Sequence, residues 1–303
     1  MMEFKKSTVY KGSLAVLTTK HQKFKAIATP MRAGLGLNLL TVNFDTDTLG
    51  TFTGEVERKG SARENALKKA RIGMAMAGKK LGIASEGSFG PHPLVPFLSA
   101  GEETMAFIDD KLKIEVVEQM LSLKSNFAHC SVQRFEELSD FLKRVKFPSH
   151  AVIVRPNFNR TNWVSNLSSK LGISIPPQQI FKGITNQEEL QEAFEHCRTI
   201  SEDGLVLIQS DMRAHLNPTR LRLIRQLAIK LARRLAHGCS VCGCPGWGVT
   251  GVVSGLPCRD CRFPSDLPKL EVFACPSCTH QETLPRRDGV LNVDPMNCEM
   301  CNP

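Results

Sequence analysis

The 303-residue sequence has few aromatic residues and no long apolar run. One tyrosine and two tryptophans are too few to favour a platform that stacks the bases of single-stranded nucleic acid. No stretch approaches the roughly 18 apolar residues of a transmembrane helix, so we expect no membrane partner. The first residues also lack the basic start, apolar run and small-residue cleavage site of a secretory leader, which predicts a cytoplasmic protein with reduced thiols.

Cysteine, in contrast, is concentrated in the last part of the sequence, in four Cys-x-x-Cys pairs. Two thiolates at this spacing can bind one ion, and two such pairs complete a tetrahedral four-sulfur site. Reduced thiols favour metal over disulfides, so we predict two structural zinc ions, with iron as the rival metal. The predicted ligands are Cys239, Cys242, Cys258, Cys261, Cys275, Cys278, Cys298 and Cys301.

The spacing leaves open which pairs share an ion. Fifteen residues separate the first two pairs and nineteen separate the last two, and either gap can hold the short β-hairpin of a zinc ribbon. The simplest arrangement is sequential, with one site from the first two pairs and one from the last two. An interleaved arrangement is the alternative. Cys244 is interpreted as a bystander, and Cys130 and Cys197 as buried, inert thiols.

Residues 1–236 alternate strand-like and helix-like segments, which predicts an α/β domain with a mixed sheet flanked by helices. Ser61 and Glu64 form a capping-box pattern at the start of a helix that ends near Gly78. A double zinc-ribbon domain follows over 237–303. Strands are predicted at 14–19, 37–44, 81–84, 104–108, 112–117, 151–155 and 204–209. Helices are predicted at 20–34, 132–145, 185–199 and 218–236. A glycine-rich stretch follows at 86–93, and irregular chain is predicted at 45–60 and 156–184.

Polar clusters follow several predicted strands, where α/β folds usually bind ligands. The run 18–23 supplies hydroxyls, lysines and free amides at a helix start, which can form a phosphate cradle or only an ordinary cap. Asp211, Arg213, His215 and Arg220 crowd the start of the last helix, and this charge density exceeds what capping needs.

The formal net charge is +9. Part of the basic excess lies along the helix 218–236, which is either a solvated face or a surface that attracts phosphate.

Three motifs in the N-terminal part resemble those of the inosine-triphosphate pyrophosphatase family of nucleotide hydrolases. That family's Thr/Ser-Asn-x-x-Lys motif reads Thr19-Lys20-His21-Gln22-Lys23 here. Its Glu-Asn-Ala-x-x-Lys-Ala motif reads Glu64-Asn65-Ala66-Leu67-Lys68-Lys69-Ala70. The strand end Ala-Asp-Asp-Ser-Gly reads Ala84-Ser85-Glu86-Gly87-Ser88, with one acid replaced by serine. The whole chain resembles a bacterial family of unknown activity that joins such a domain to C-terminal zinc ribbons.

This resemblance implies a nucleotide-pyrophosphatase-like fold and an Mg²⁺-dependent hydrolysis that releases pyrophosphate from a nucleoside triphosphate. It implies Glu86 and Glu64 as catalytic residues. The implied phosphate- and nucleotide-binding residues are Thr19, Lys23, Asn65, Lys68 and Arg220. The charged residues at the start of the last helix add Arg213 as a candidate for the same role. From the residues alone, Glu64 is equally a capping acid, and Glu64 with Lys68 a surface ion pair.

Two other functions remain open. Loss of the acid at Ser85 favours a non-catalytic protein that binds a nucleotide or another phosphate ligand, with the zinc ribbons docking a partner. The basic helix and the ribbons together are also compatible with a nucleic-acid-associated protein.

Overall fold

The structure is a computed structural model that describes residues 9–20, 22–44, 60–92, 95, 97–157 and 180–302. The predictions of irregular chain over 45–60 and 156–184 fall mostly outside these residues.

The first sheet has five strands in the order β2-β1-β3-β4-β5. Strand β1 is parallel to both β2 and β3, whereas β3, β4 and β5 are antiparallel neighbours. This sheet with its helices confirms the predicted mixed α/β architecture. The strands are β1 (Leu14–Thr18), β2 (Asn38–Val42), β3 (Leu81–Pro91), β4 (Ser99–Asp109) and β5 (Ile114–Ser122).

Local sequence explains where the two N-terminal helices stop. Helix α1 (Phe24–Leu35) contains Pro30 and is capped by Gly36. The positive φ of Gly36 lets backbone amides at the helix end donate hydrogen bonds to the carbonyls of Arg32 and Met31. Helix α2 (Ala62–Ala77) begins at Ser61 in a capping box with Glu64, as predicted, and ends at Gly78, also at positive φ.

The two faces of the first sheet are covered by different helices. On one face, Leu17, Ile83 and Phe107 pack in a core that includes residues of α1 and of a long C-terminal helix. On the other, residues of α2 pack against Ala84 and Ile108.

A second sheet with its own core is built from residues 129–210. Its strand order is β6-β9-β7-β8, and all neighbours are antiparallel. The core includes Leu138, Phe194 and Ile208. The elements are β6 (His129–Val132), α3 (Ser139–Val145), β7 (Val152–Pro156), β8 (Phe181–Ile184), α4 (Gln187–Ile200) and β9 (Val206–Ser210).

Three sequence predictions need correction here. Strand β6 and strand β8 were not predicted, because each has only four residues and depends on partners distant in sequence. The strand predicted at 81–84 is too short, since β3 continues through the glycine-rich stretch to Pro91 in an eleven-residue pairing with β4.

Helix α5 (Pro218–Leu235) links the sheets to the cysteine-rich tail. Asn217 caps its start by accepting a hydrogen bond from the Arg220 amide, and Pro218 occupies the first turn, as predicted. Near the other end, Arg234 donates to the carboxylate of Glu118 on β5 (2.9 Å) and to the carbonyl of Gly246 in the tail (3.0 Å). One arginine therefore joins the tail to the first sheet.

The tail contains an antiparallel sheet of β10 (Gly248–Ser254), β11 (Pro268–Ala274) and β12 (Gln281–Pro285). Each strand lies between two successive Cys-x-x-Cys pairs. The expectation of a separate hairpin within one gap is therefore wrong, because the strands pair across the cysteines.

No helix in the described part of the chain is long and apolar enough to cross a membrane.

Candidate functional site

The eight cysteines of the tail form two groups whose sulfur atoms lie within 4.8 Å of one another. One group is Cys239, Cys242, Cys275 and Cys278; the other is Cys258, Cys261, Cys298 and Cys301. The first pair of cysteines thus joins the third, and the second joins the fourth. The sequential pairing is wrong, and the interleaved alternative describes the tail.

The sulfur geometry suits metal binding. The Sγ–Sγ distances are 3.8 Å for Cys239–Cys278 and 3.5 Å for Cys242–Cys275. The second group repeats them, with 3.8 Å for Cys258–Cys301 and 3.5 Å for Cys261–Cys298. A tetrahedron with metal–sulfur bonds of about 2.3 Å has edges of about 3.8 Å. Each group can therefore bind one metal ion through four sulfurs, which leaves no open position for water.

The remaining cysteines lie outside both groups. Cys197 is buried in the second core, and burial raises the pKa of its thiol to about 12. Cys130 is partly buried, and burial raises its pKa as well. Cys244 packs against the first core. All three match their interpretation as non-ligating thiols.

A second site lies beyond the carboxyl end of β1, where β3 extends past its parallel neighbour. The register pairs Thr18, the last residue of β1, with Ala84. Residues 85–91 of β3 therefore have no β1 partner. We call the charged residues here the β1-end cluster: Lys23, Lys69, Glu86, Glu103 and Arg220.

Lys23 lies at the centre of this cluster. It immediately precedes α1, is only 8% exposed, and donates to the Ser85 side chain (3.1 Å) and carbonyl (3.4 Å). Burial, followed by the nearby Arg220 charge, lowers the pKa of Lys23 to about 8. The carboxylates of Glu103 and Glu86 offset part of this effect.

Glu86 and Glu103 approach Lys23 from adjacent strands but opposite faces of the sheet. Glu86 lies on the α2 face and pairs with Lys69, and both side chains are less than 10% exposed. Glu103 lies on the α5 face, where its Oε1 accepts a hydrogen bond from Arg220 Nε (2.6 Å).

Arg220 is held on three sides. Besides Glu103, its guanidinium donates to the Met212 carbonyl and lies over the Phe89 ring, 4.8 Å from the centroid. Its Nη2 faces Gly87, where an added Cβ would overlap that nitrogen and lie 2.6 Å from Glu103 Oε1. The absence of a side chain at Gly87 therefore permits this close approach.

Three buried side-chain oxygen atoms have no hydrogen-bond partner in the part of the chain that the structure describes. They are the hydroxyls of Thr18 and Thr19 and Oε2 of Glu103. Buried polar atoms are normally satisfied by protein or water. The Thr18 hydroxyl lies against Gly73 of α2, where an added Cβ would overlap it.

The structure brings Lys23, Glu86 and Arg220 together, as the sequence suggested, and adds Lys69 and Glu103. Lys69 could have been found by counting, because the lysine of the Glu-Asn-Ala-x-x-Lys-Ala motif falls at 69. The predicted Lys68 is exposed. Glu103 carries no signal in the sequence, since only the register of β3 and β4 brings it to the site.

The other predicted site residues make local contacts. Glu64 is exposed, and its carboxylate accepts hydrogen bonds from the amide (2.7 Å) and hydroxyl (2.9 Å) of Ser61, which lower its pKa. Asn65 is buried and donates to the Ser61 carbonyl (3.0 Å). Arg213 forms a two-pronged ion pair with the buried Asp211 (3.0 and 2.6 Å).

Several basic residues of the 213–234 region contact carboxylates of the same chain. Lys230 and Arg234 both pair with Glu118, at 2.8 and 2.9 Å. Lys230 and Arg234, like Arg213 and Arg220, therefore pair with carboxylates of the chain and do not form an unpaired basic surface.

Two comparisons give no relative. No curated protein matches the chain, and no solved structure matches it. A family model does match, over residues 69–303, which include both cysteine groups and most of the β1-end cluster. The chain therefore belongs to the family described as a domain of unknown function, DUF6671.

Proposed function

We propose that the chain binds a phosphate-bearing ligand of the nucleoside-triphosphate class in the β1-end cluster and hydrolyses a phosphoanhydride bond there with Mg²⁺. One observation carries the binding step: the cluster contains three cations and two carboxylates, all largely buried. This surplus of positive charge is unfavourable without a counter-ion. A phosphate group would neutralise it.

The geometry gives individual residues distinct tasks. The Lys23 ammonium and Arg220 Nη2 bind phosphate oxygens, and the Thr19 hydroxyl, which has no partner among the described residues, adds a donor. Lys69 pairs with the Glu86 carboxylate and holds it in place. Glu86 is then suited to orient the attacking water and accept its proton.

The oxygen donors of the cluster also fit Mg²⁺, which prefers carboxylates and substrate phosphates as ligands. When bound, Mg²⁺ supplies neutralisation of phosphate charge and activation of water.

The hydrolysis proposal is tested by measuring pyrophosphate release from a panel of standard and deaminated nucleoside triphosphates. We expect turnover in the metal-loaded protein and its loss in Glu86→Gln. Glu118→Gln is the matched control, because Glu118 is a buried carboxylate of the same sheet that binds two cations outside the cluster. Full turnover in Glu86→Gln would reject the role of Glu86.

A second candidate is binding without hydrolysis. It is favoured by the ion pairs that both carboxylates already form, and by Ser85 at a position where the resembling hydrolases have an acid. It predicts that nucleotides bind and are recovered unchanged. The nucleic-acid alternative has less support, since Arg213, Arg220, Lys230 and Arg234 of the basic 213–234 region pair with carboxylates of the same chain.

We also propose that the metal in both cysteine groups is zinc. Sulfur-only tetrahedral sites suit Zn²⁺, and such sites stabilise a fold rather than catalyse a reaction. Metal analysis of protein purified without chelators should give two zinc ions per chain. Two irons per chain, with the visible absorption of iron–thiolate centres, would reject zinc.

A further inference from the structure

Glu103 has one carboxylate oxygen that no part of the described chain contacts as a donor. Its side chain is fully buried, Oε1 accepts a hydrogen bond from Arg220, and Oε2 has no hydrogen-bond partner among the described residues. Glu118, also buried in the first sheet, uses both oxygens: Oε1 contacts Arg234 and Oε2 contacts Lys230. A buried acceptor that stays unsatisfied is unfavourable, so a ligand that donates to Glu103 Oε2 would be bound more tightly.

The Glu103 side chain lies on the same face of the sheet as the two cations assigned to phosphate. Glu103 pairs with Gly87 across the strands, and a Cβ added at Gly87 would lie 2.6 Å from Glu103 Oε1 and overlap Arg220 Nη2. Ser85, two residues earlier on β3, shares this face and accepts a hydrogen bond from Lys23. A phosphate held by Lys23 and Arg220 would therefore lie on the side of the sheet that carries Glu103.

The charges on this face determine which kind of donor suits Oε2. Lys23 and Arg220 supply two cations against the one carboxylate of Glu103, so a further cation is unfavourable and the donor should be neutral. The phosphate groups of a polyphosphate do not supply such a donor, because they lose their last protons at about pH 6 and then only accept hydrogen bonds. A hydroxyl group is neutral and donates, and the sugar of a nucleotide carries hydroxyls close to its phosphates.

We infer that Glu103 Oε2 accepts a hydrogen bond from a sugar hydroxyl of the bound ligand, so that the β1-end cluster selects nucleotides over inorganic polyphosphates. This inference rests on the proposed phosphate site and adds a residue that sets its specificity. Arg220 can stay in place, because it binds Oε1 of Glu103 and is held independently by the Met212 carbonyl and the Phe89 ring. A site with a buried acceptor rejects a ligand that lacks the matching donor, since the acceptor then stays unpaired.

The test measures binding to zinc-loaded protein by calorimetry, without Mg²⁺ so that no nucleotide is hydrolysed. The probes are adenosine and inosine triphosphates, their 2′,3′-dideoxy forms, which lack both sugar hydroxyls, and inorganic tripolyphosphate. We expect the unchanged protein to bind the hydroxylated nucleotides roughly 10- to 100-fold more tightly than the dideoxy forms, the effect of one hydrogen bond to a charged group. Equal affinity for the two forms would overturn the inference, because Oε2 would then contact only water.

Glu103→Gln assigns the preference to this residue, since it keeps the shape and an acceptor for Arg220 but removes the charge at Oε2. It should reduce the preference for hydroxylated nucleotides about tenfold. It should bind tripolyphosphate at least as tightly as the unchanged protein does, because a negative charge has left the site. Glu118→Gln is the matched control and should keep the preference. If Glu103→Gln weakens the binding of all probes alike, Glu103 only positions Arg220 and the inference is wrong.

Glu103→Asp is used if Glu103→Gln does not fold, because it keeps the negative charge opposite Arg220 but shortens the side chain that carries Oε2. It should also lose the preference, and a preference that is retained would contradict the inference. The dideoxy comparison itself needs no variant. Tripolyphosphate binding by the unchanged protein reports on the phosphate site alone, so failure of the proposed function is distinguishable from failure of this inference.

Discussion

Replacing Lys23 by methionine is expected to stabilise the fold and remove ligand binding. The pKa of Lys23 falls from 10.5 to about 8, because the buried ammonium is poorly solvated and lies near Arg220. That difference of about 2.5 units corresponds to about 3 kcal/mol at 1.36 kcal/mol per unit, and it is the cost of keeping Lys23 charged in the folded state. Methionine has a similar length and no charge, so most of this cost should disappear.

The difference in stability between the lysine protein and Lys23→Met should depend on pH. Below about pH 8, Lys23 is charged in both the folded and the unfolded state, and the full cost applies. Between about pH 8 and pH 10.5, the unfolded chain holds the proton that the folded protein has lost, so the lysine protein gains stability relative to Lys23→Met. Above this range the advantage of methionine should be gone.

The assay is urea unfolding at several pH values, compared between the two proteins. Lys68→Met is the control, because Lys68 is exposed and its replacement should change stability by at most about 0.5 kcal/mol. A Lys23→Met protein that is less stable at pH 7, or whose difference from the lysine protein does not change with pH, would refute this account of the cluster.

Three further predictions concern other parts of the molecule. Cys275→Ser should reduce the zinc content measured by metal analysis from two to below one per chain. The reason is that the two cysteine groups are interleaved along the chain, so losing one site should unfold the other. A folded tail with one zinc would contradict this. Gly87→Ala should displace Arg220, lower the free energy of unfolding by about 1–3 kcal/mol and weaken phosphate binding measured by calorimetry. Gly90→Ala, where the added Cβ meets open space, should change neither quantity. Burial lowers the pKa of His150 below 6.5, so the stability contributed by its neutral form is present above pH 6.5 and lost as the pH falls through the lowered pKa. Between about pH 7 and about pH 5, the free energy of unfolding should therefore fall less steeply with pH in His150→Asn than in the unchanged protein. Equal slopes in the two proteins would contradict this.

Local chemistry made some features predictable from the sequence. The capping box at Ser61 involves residues three apart, so its pattern is visible without tertiary structure. The same holds for each Cys-x-x-Cys pair and for Asn217 at the start of α5. In each case the interacting atoms belong to one turn of chain.

Features set by strand pairing were not predictable in the same way. Which cysteine pairs share an ion depends on how β10, β11 and β12 align, and no spacing rule contains that information. Glu103 lies 17 residues after Glu86, and only the register of β3 with β4 brings them together. The predicted strand 81–84 stops short of the glycines at 87 and 90, but a long antiparallel partner keeps them in β3.

The most direct test of the central claim is calorimetric titration of zinc-loaded protein with inorganic tripolyphosphate, with and without Lys23→Met. Tripolyphosphate carries the phosphate chemistry that both candidate functions share, without a base or a sugar. The account predicts binding to the unchanged protein that weakens as the pH rises above about 8, where Lys23 loses its charge, and no binding to Lys23→Met. Equal binding by both proteins, or none by either, would contradict the assignment of the β1-end cluster as a phosphate site.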